Sequence, residues 1–255
     1  MKIKRAALLN SVLFLLILSA VFIATPAFAN ITGTQEIGPV YYHVEGNTSR
    51  SFYPANDVAY MYEGDVSFTK EMLKGFESFG NILYRSTNDR TVDQQDFSIE
   101  RMYIGLRRQN QEILLGDFYS NFSEYSLGNA LKGSKITIGD EKSHRLILVG
   151  GIDTTKWEDL WETRQEDSAM RRYVWGSRLE NNFFGKKLAL NLNYGGARDD
   201  EAYTPSSSAP IMVNVFSVDG KYDITSFLQA KAELAQSFTD EDIRNENERI
   251  RATRR

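Results

Sequence analysis

The chain has 255 residues, 42% of them hydrophobic and 25% charged, with a formal net charge of -4. Those proportions exclude a disordered polyelectrolyte and a bundle of membrane helices, and the acidic balance argues against nucleic acid as a partner. Cysteine is absent, so the fold has no disulfide and no lipid-attachment site of the bacterial lipoprotein kind.

Residues 1–29 read as a secretory signal peptide. Lys2, Lys4 and Arg5 form a basic start, an apolar stretch is centred on Val12 to Ile23, and Ala27-Phe28-Ala29 follows Pro26. The apolar stretch with its flanks approaches the roughly 20 residues of a spanning helix. Pro26 and the small residues Ala27 and Ala29 instead favour cleavage, expected after Ala29. The chain from Asn30 onward then holds 27 basic and 34 acidic residues. No other apolar run approaches membrane-helix length, so any membrane residence of the mature chain has to be built from strands.

Beyond residue 30 the chain alternates with period two, as a strand does and a helix does not. Early on, Tyr60, Tyr62, Val66 and Phe68 oppose Glu63, Asp65 and Ser67. Leu188, Leu190, Leu192 and Tyr194 oppose Ala189, Asn191 and Asn193. Later still, Leu228, Ala230, Ala232 and Leu234 oppose Gln229, Lys231, Glu233 and Ala235. Extending this pattern predicts strands near 37–45, 57–69, 76–87, 96–107, 112–119, 132–140, 144–152, 171–181, 186–197, 211–222 and 226–238. That is about eleven strands, many close to the roughly 9–11 residues of a tilted membrane strand. Tight links fall around Lys74-Gly75, Arg108 to Gln111, Asp140 to Ser143, Asn182 to Gly185, and Asp223 to Thr225. Longer polar links fall between them at 46–56, 88–95, 120–131, 153–170 and 198–210. Strict alternation of short and long links is the habit of outer-membrane barrels. Tyr60, Phe68, Phe183, Phe184, Tyr194, Tyr222 and Phe238 lie near strand ends, where aromatic girdles would sit.

In its hairpin spacing across most of positions 37–238, the sequence resembles the Gram-negative outer-membrane β-barrel proteins, porin-like ones included. The resemblance implies an all-β, antiparallel up-and-down transmembrane barrel. It also implies residence in the bacterial outer membrane, contact with its lipid and use of the barrel-insertion machinery. A shorter pattern, Leu115-Gly116-Asp117 followed by Lys132-Gly133, is similar to one in fimbrial usher barrels, which export pilus subunits. Single-chain bacterial barrels close with an even strand number, and Thr239 to Arg255 read as a polar tail or a truncated loop. Eleven strands therefore mean either that the sequence is part of a larger barrel, the reading favoured, or that one strand is missing from the count. The expected organisation is a signal peptide at 1–29, a barrel region at 30–238 and the tail at 239–255.

Charged strand residues are expected to face the lumen, since Arg or Lys on the lipid face costs roughly 2–4 kcal/mol at the bilayer midplane. This selects Glu63, Asp65, Arg85, Asp117, Arg145, Arg178, Glu180, Lys231 and Glu233 as lumen-lining candidates, while Arg101 shares a side with Phe97, Ile99 and Tyr103. They line a solute path in one reading and stiffen or plug a small barrel in the other. In the 153–170 link, Trp157, Leu160 and Trp161 share one face of a short helix and are candidates for a binding loop or lid. His43 and His144 lie a hundred residues apart and outside any metal-ligand spacing. The function expected is a channel for small hydrated solutes, with neither enzyme chemistry nor a cofactor. The alternatives are part of a large export barrel, or a non-conducting structural or adhesive barrel.

Overall fold

The computed structural model describes residues 30–45, 57–72, 75–93, 95–153, 156–157, 160, 171–204 and 208–244; residues 1–29, expected as a signal peptide, Trp161 and the end of the expected polar tail lie outside them. The strands are β1 (Asn30–Tyr42), β2 (Asp57–Glu71), β3 (Glu77–Thr87), β4 (Phe97–Arg108), β5 (Gln111–Asn121), β6 (Gly128–Gly139), β7 (His144–Asp153), β8 (Arg172–Phe183), β9 (Leu188–Asp199), β10 (Met212–Asp223) and β11 (Gln229–Asp240). Their order in the sheet is their order in the chain, so the fold is an all-β, up-and-down antiparallel meander.

Tight turns alternate with longer connections, as the spacing predicts. Two residues, Gln109 and Asn110, join β4 to β5, with Gln109 left-handed at φ 48°. Phe184, Gly185 and Lys186 all take positive φ in the β8–β9 turn, the conformation that lets a short hairpin follow the strand twist. The largest differences from the expected boundaries lie at the start of β1 and in the β5–β6 link. β1 begins at Asn30 because Thr32 and Thr34 pair with Ser67 and Asp65; Thr and Gly sustain a ladder without showing apolar alternation. β5 and β6 extend to Asn121↔Gly128, which shortens the link expected at 120–131 to six residues, Phe122–Leu127.

The chain divides into two compact units. The first holds β1, β2, nearly all of β3 and β4 as far as Met102, with residues 156–158. Its β1–β2 ladder runs from Asn30↔Thr69 to Tyr42↔Asp57. One face carries Ile31, Ile37 and Tyr41 opposite Phe68, Tyr62 and Val58, and Ile37 is 76% exposed. Tyr84 lies over Gly64, where a Cβ would meet its ring at 2.4 Å, and stacks on Phe97. The other face carries Glu63 and Asp65.

The second unit holds the rest of β4 and β5–β11. Its register sorts side chains into an open face and a covered face. On the open face Leu179↔Leu192↔Val218↔Leu234 form one cross-strand row, and Trp175↔Gly196↔Asn214↔Phe238 another. Leu192 is 50% and Leu234 80% exposed. On the covered face Arg178↔Asn193↔Ser217 and Glu180↔Asn191↔Asp219↔Glu233 run alongside. Asn191, Asn193 and Ser217 are buried. Polar side chains are covered and apolar ones exposed, the reverse of a water-soluble sheet.

Phe122 and Leu127 account for part of this cover. The Phe122–Leu127 connection folds back over the covered face, where both residues join Phe118, Leu131, Val149 and Val174 in an apolar cluster. Gly176 and Gly195 make room. A Cβ on Gly176 would sit 2.7 Å from the Phe122 ring, and one on Gly195 would sit 2.9 Å from the Ser126 carbonyl oxygen.

Candidate functional site

The covered face of the second unit carries a continuous polar network built around Arg178. Its guanidinium donates to Glu180 at 2.9 Å, Asn193 at 2.7 Å, Asp219 at 3.1 Å and the Phe122 carbonyl. Glu180 also accepts from Arg145 at 2.5 Å. Asp219 accepts from the Asn191 and Asn193 amides at 2.6 and 2.7 Å, and Asn193 donates to Ser217 at 3.0 Å. Ser123, in the folded-back segment, lies 3.1 Å from Ser217. One arginine thus satisfies two carboxylates and pins the segment through a backbone oxygen.

β11 completes this face. Lys231 stands opposite Lys221, and Glu233 opposite Asp219. Like charges set across from one another repel. The Asp219 carboxylate is compensated by Arg178, whereas Glu233 has a buried oxygen without a hydrogen-bond partner among the described residues. Near the other strand ends, Arg172 binds the buried Asp199 at 2.6 Å, and Asn129 donates to Asp153 at 2.9 Å.

A separate cluster occupies the polar face of the first unit. Arg85 bridges Glu63 at 2.6 Å and Glu100 at 3.1 Å, while Arg101 donates to Asn81 at 2.8 Å and contacts Asp65 at 3.2 Å. Beside it, the 88–96 connection is held by two aspartates. Asp89 accepts from the Tyr42 hydroxyl and from Thr91, and Asp93 accepts from Lys156 at 2.6 Å, Ser98 at 2.7 Å and the Gln95 amide at 3.0 Å. Burial alone would raise the Asp93 pKa. The donors from Lys156, Gln95 and Ser98 outweigh it and hold the carboxyl below its ordinary value, and Asp89 is lowered in the same way by Tyr42 and Thr91.

Of the residues selected from sequence, Glu63, Asp65 and Arg85 therefore meet in the first unit. Arg145, Arg178, Glu180, Lys231 and Glu233 share the covered face of the second. Asp117 does not join them. The register Ile113↔Ile136, Leu115↔Ser134, Asp117↔Lys132 places it on the open face, paired with the buried Lys132 at 2.5 Å. Ile113-Leu114-Leu115, just before Asp117, is apolar on both faces and gives no parity from which to read its side. The pair falls in the cross-strand row of Tyr173 and Arg198 near the strand ends. The two halves of the usher-like pattern are thus cross-strand neighbours, Gly116↔Gly133 and Asp117↔Lys132. Trp157 is described in the β7–β8 connection, whereas Trp161 lies outside the described residues. Sequence reasoning missed Asp219, Ser217, Glu100 and the folded-back segment, although Asp219 alternates with Val218 and Phe216 as a polar-face residue should.

Taken together, these features define an antiparallel β-meander with an apolar open face and a hydrogen-bonded polar face. No protein-family model matches the chain, and no curated protein matches it. Among solved structures it is similar to the chain in the "Crystal structure of Pseudomonas aeruginosa OccK2 (OpdF) in complex with glucuronate", with a TM-score of 0.32 and 11% identity over 83% of this chain and 60% of that one. The chain thus spans less than two thirds of that protein's length.

Proposed function

We propose that the chain forms the wall of a porin-like β-barrel in a bacterial outer membrane, with the open face against lipid and the covered face lining a path for small hydrated solutes. The observation that carries this reading is the inverted burial of the second unit. Leu192, Phe216, Val218 and Leu234 are exposed, while Asn191, Asn193 and Ser217 are buried between them in the strands. A solvent more apolar than water makes such an arrangement favourable.

Dimensions agree with it. On β8 the open face from Tyr173 to Phe183 carries Trp175, Ser177, Leu179 and Asn181 and no charge. Ten residues of strand rise roughly 33 Å. At the 35–45° tilt of membrane strands this becomes about 25 Å, the height of an outer-membrane apolar band. Phe183, Phe184 and Tyr222 lie towards the tight turns, as an interfacial belt would.

In this reading no bond is made or broken, and selectivity comes from the width of the path and the charges along it. The test is single-channel conductance of the chain from Asn30 in a planar lipid bilayer, with the reversal potential measured in a salt gradient. Stepwise conductance is expected, and Lys231→Glu is expected to shift permeability towards cations. Folded protein that inserts without conducting would select the non-conducting structural barrel. The Arg178 network and the folded-back segment favour that second reading, because both fill the covered face.

A further inference from the structure

At the tight-turn end of the second unit, the covered face hollows into a cavity of about 460 Å³, within the size range of small-molecule sites. Its lining is richer in cations than in anions. Arg107, Lys135, Lys142, Arg145 and Lys186 face Glu112, Asp140 and Glu141. Three of the cations are engaged: Arg107 with Glu77 at 2.5 Å, Arg145 with Glu180 at 2.5 Å, and Lys186 with Glu141 at 3.1 Å. Among the described residues no carboxylate pairs with Lys135 or Lys142. Lys135 stands between Leu114 and Val149 in the ladder, so apolar neighbours flank its stem. Its ammonium is the uncommitted charge on the cavity floor.

The rest of the lining narrows the ligand. A bare inorganic anion would leave most of 460 Å³ unfilled and would face Glu112, which has no donor of its own among the described residues. A polyanion would meet three carboxylates. A neutral sugar would leave the Lys135 charge unanswered. A molecule with one anionic group and several hydroxyls answers all three, because hydroxyls donate to Glu112 and exchange hydrogen bonds with the Asn110 and Gln111 amides.

We propose that this cavity is a binding site for a phosphorylated sugar, with the phosphate at Lys135, Lys142 adding positive potential at the rim, and the sugar hydroxyls against Glu112 and the amides. The site stands whether or not the covered face conducts, and its test is binding. The full chain from Asn30, refolded in detergent micelles and checked for β structure by circular dichroism, is titrated with glucose 6-phosphate by calorimetry. Saturable binding is expected, with glucose and inorganic phosphate each binding more weakly. Lys135→Gln is expected to weaken binding by about tenfold or more, as loss of a charge-assisted contact does. Arg198→Gln, at the opposite end of β9, is expected to leave it unchanged. No saturable binding by folded protein, phosphate alone binding as tightly as the sugar phosphate, or an unaltered affinity in the Lys135 variant would each overturn the proposal.

Discussion

Leu234→Arg separates a lipid-facing sheet from a water-facing one with a single side chain. Leu234 stands mid-strand on β11, opposite Val218, and is 80% exposed, so its replacement removes little packing. If the open face met water, the change would fall within about 0.5 kcal/mol, the usual range for surface substitutions. If it meets the hydrocarbon midplane, an arginine costs roughly 2–4 kcal/mol. At 1.4 kcal/mol per factor of ten, that is roughly 30-fold to a thousandfold in the folding equilibrium. Ala235, the next residue, points to the covered face opposite Ser217 and is itself exposed. Ala235→Arg should therefore cost far less. The measurement is guanidinium unfolding of the chain from Asn30 in liposomes, followed by tryptophan emission. Equal penalties for the two variants, or a Leu234→Arg penalty below about 0.5 kcal/mol, would refute the inverted sheet.

Other consequences are open to direct measurement. Arg178→Ala leaves the mostly buried Asp219 without its cation and Glu180 with Arg145 alone, and should destabilise by about 3–5 kcal/mol; Arg198→Ala, which breaks only the exposed pair with Glu201, should cost under about 1 kcal/mol in the same unfolding assay. Gly195→Ala pushes a methyl into the Ser126 carbonyl, so the Phe122 amide, which donates to Leu127 at 2.8 Å, should exchange its hydrogen faster by mass spectrometry while the β9 ladder amides stay protected. Because the folded Asp93 pKa is depressed, its contribution is present above the ordinary carboxylate value of 3.8 and disappears as pH falls through the folded pKa. The stability gap between wild type and Asp93→Asn should accordingly be full at pH 7 and close only in strong acid; a gap unchanged down to about pH 2 would assign the effect to packing instead.

Much of this architecture is legible in the amino-acid order, and the exceptions have physical causes. Leu188 to Tyr194 and Leu228 to Leu234 alternate cleanly because each strand has one apolar and one polar side. On β11 that alternation sets Lys231 and Glu233 on one side, the face that the register shares with Arg178 and Glu180 of β8. At Asp117 the apolar run beside it erases the period. Phe122–Leu127 carried no local signal at all. Its fold-back depends on Gly176 and Gly195, far along the chain, whose role is the space they leave for Phe122 and Leu127. Patterning reports the face a residue takes within its own strand; it cannot report what another segment lays across that face.

Trp175 stands within β8 with its ring over Gly196 of β9, where a Cβ would clash at 2.4 Å. Its indole N–H donates to the Tyr194 hydroxyl at 3.0 Å, and that hydroxyl donates to Asn214 of β10 at 2.9 Å. Three strands must therefore be in register before the indole gains this partner. A slip of one residue in β9 would turn Gly196 and Tyr194 to the opposite face together. The emission of Trp175, isolated by replacing the two tryptophans of the β7–β8 connection, becomes an optical gauge of strand alignment. It would distinguish a chain that has merely entered a bilayer from one whose strands have found their pairing.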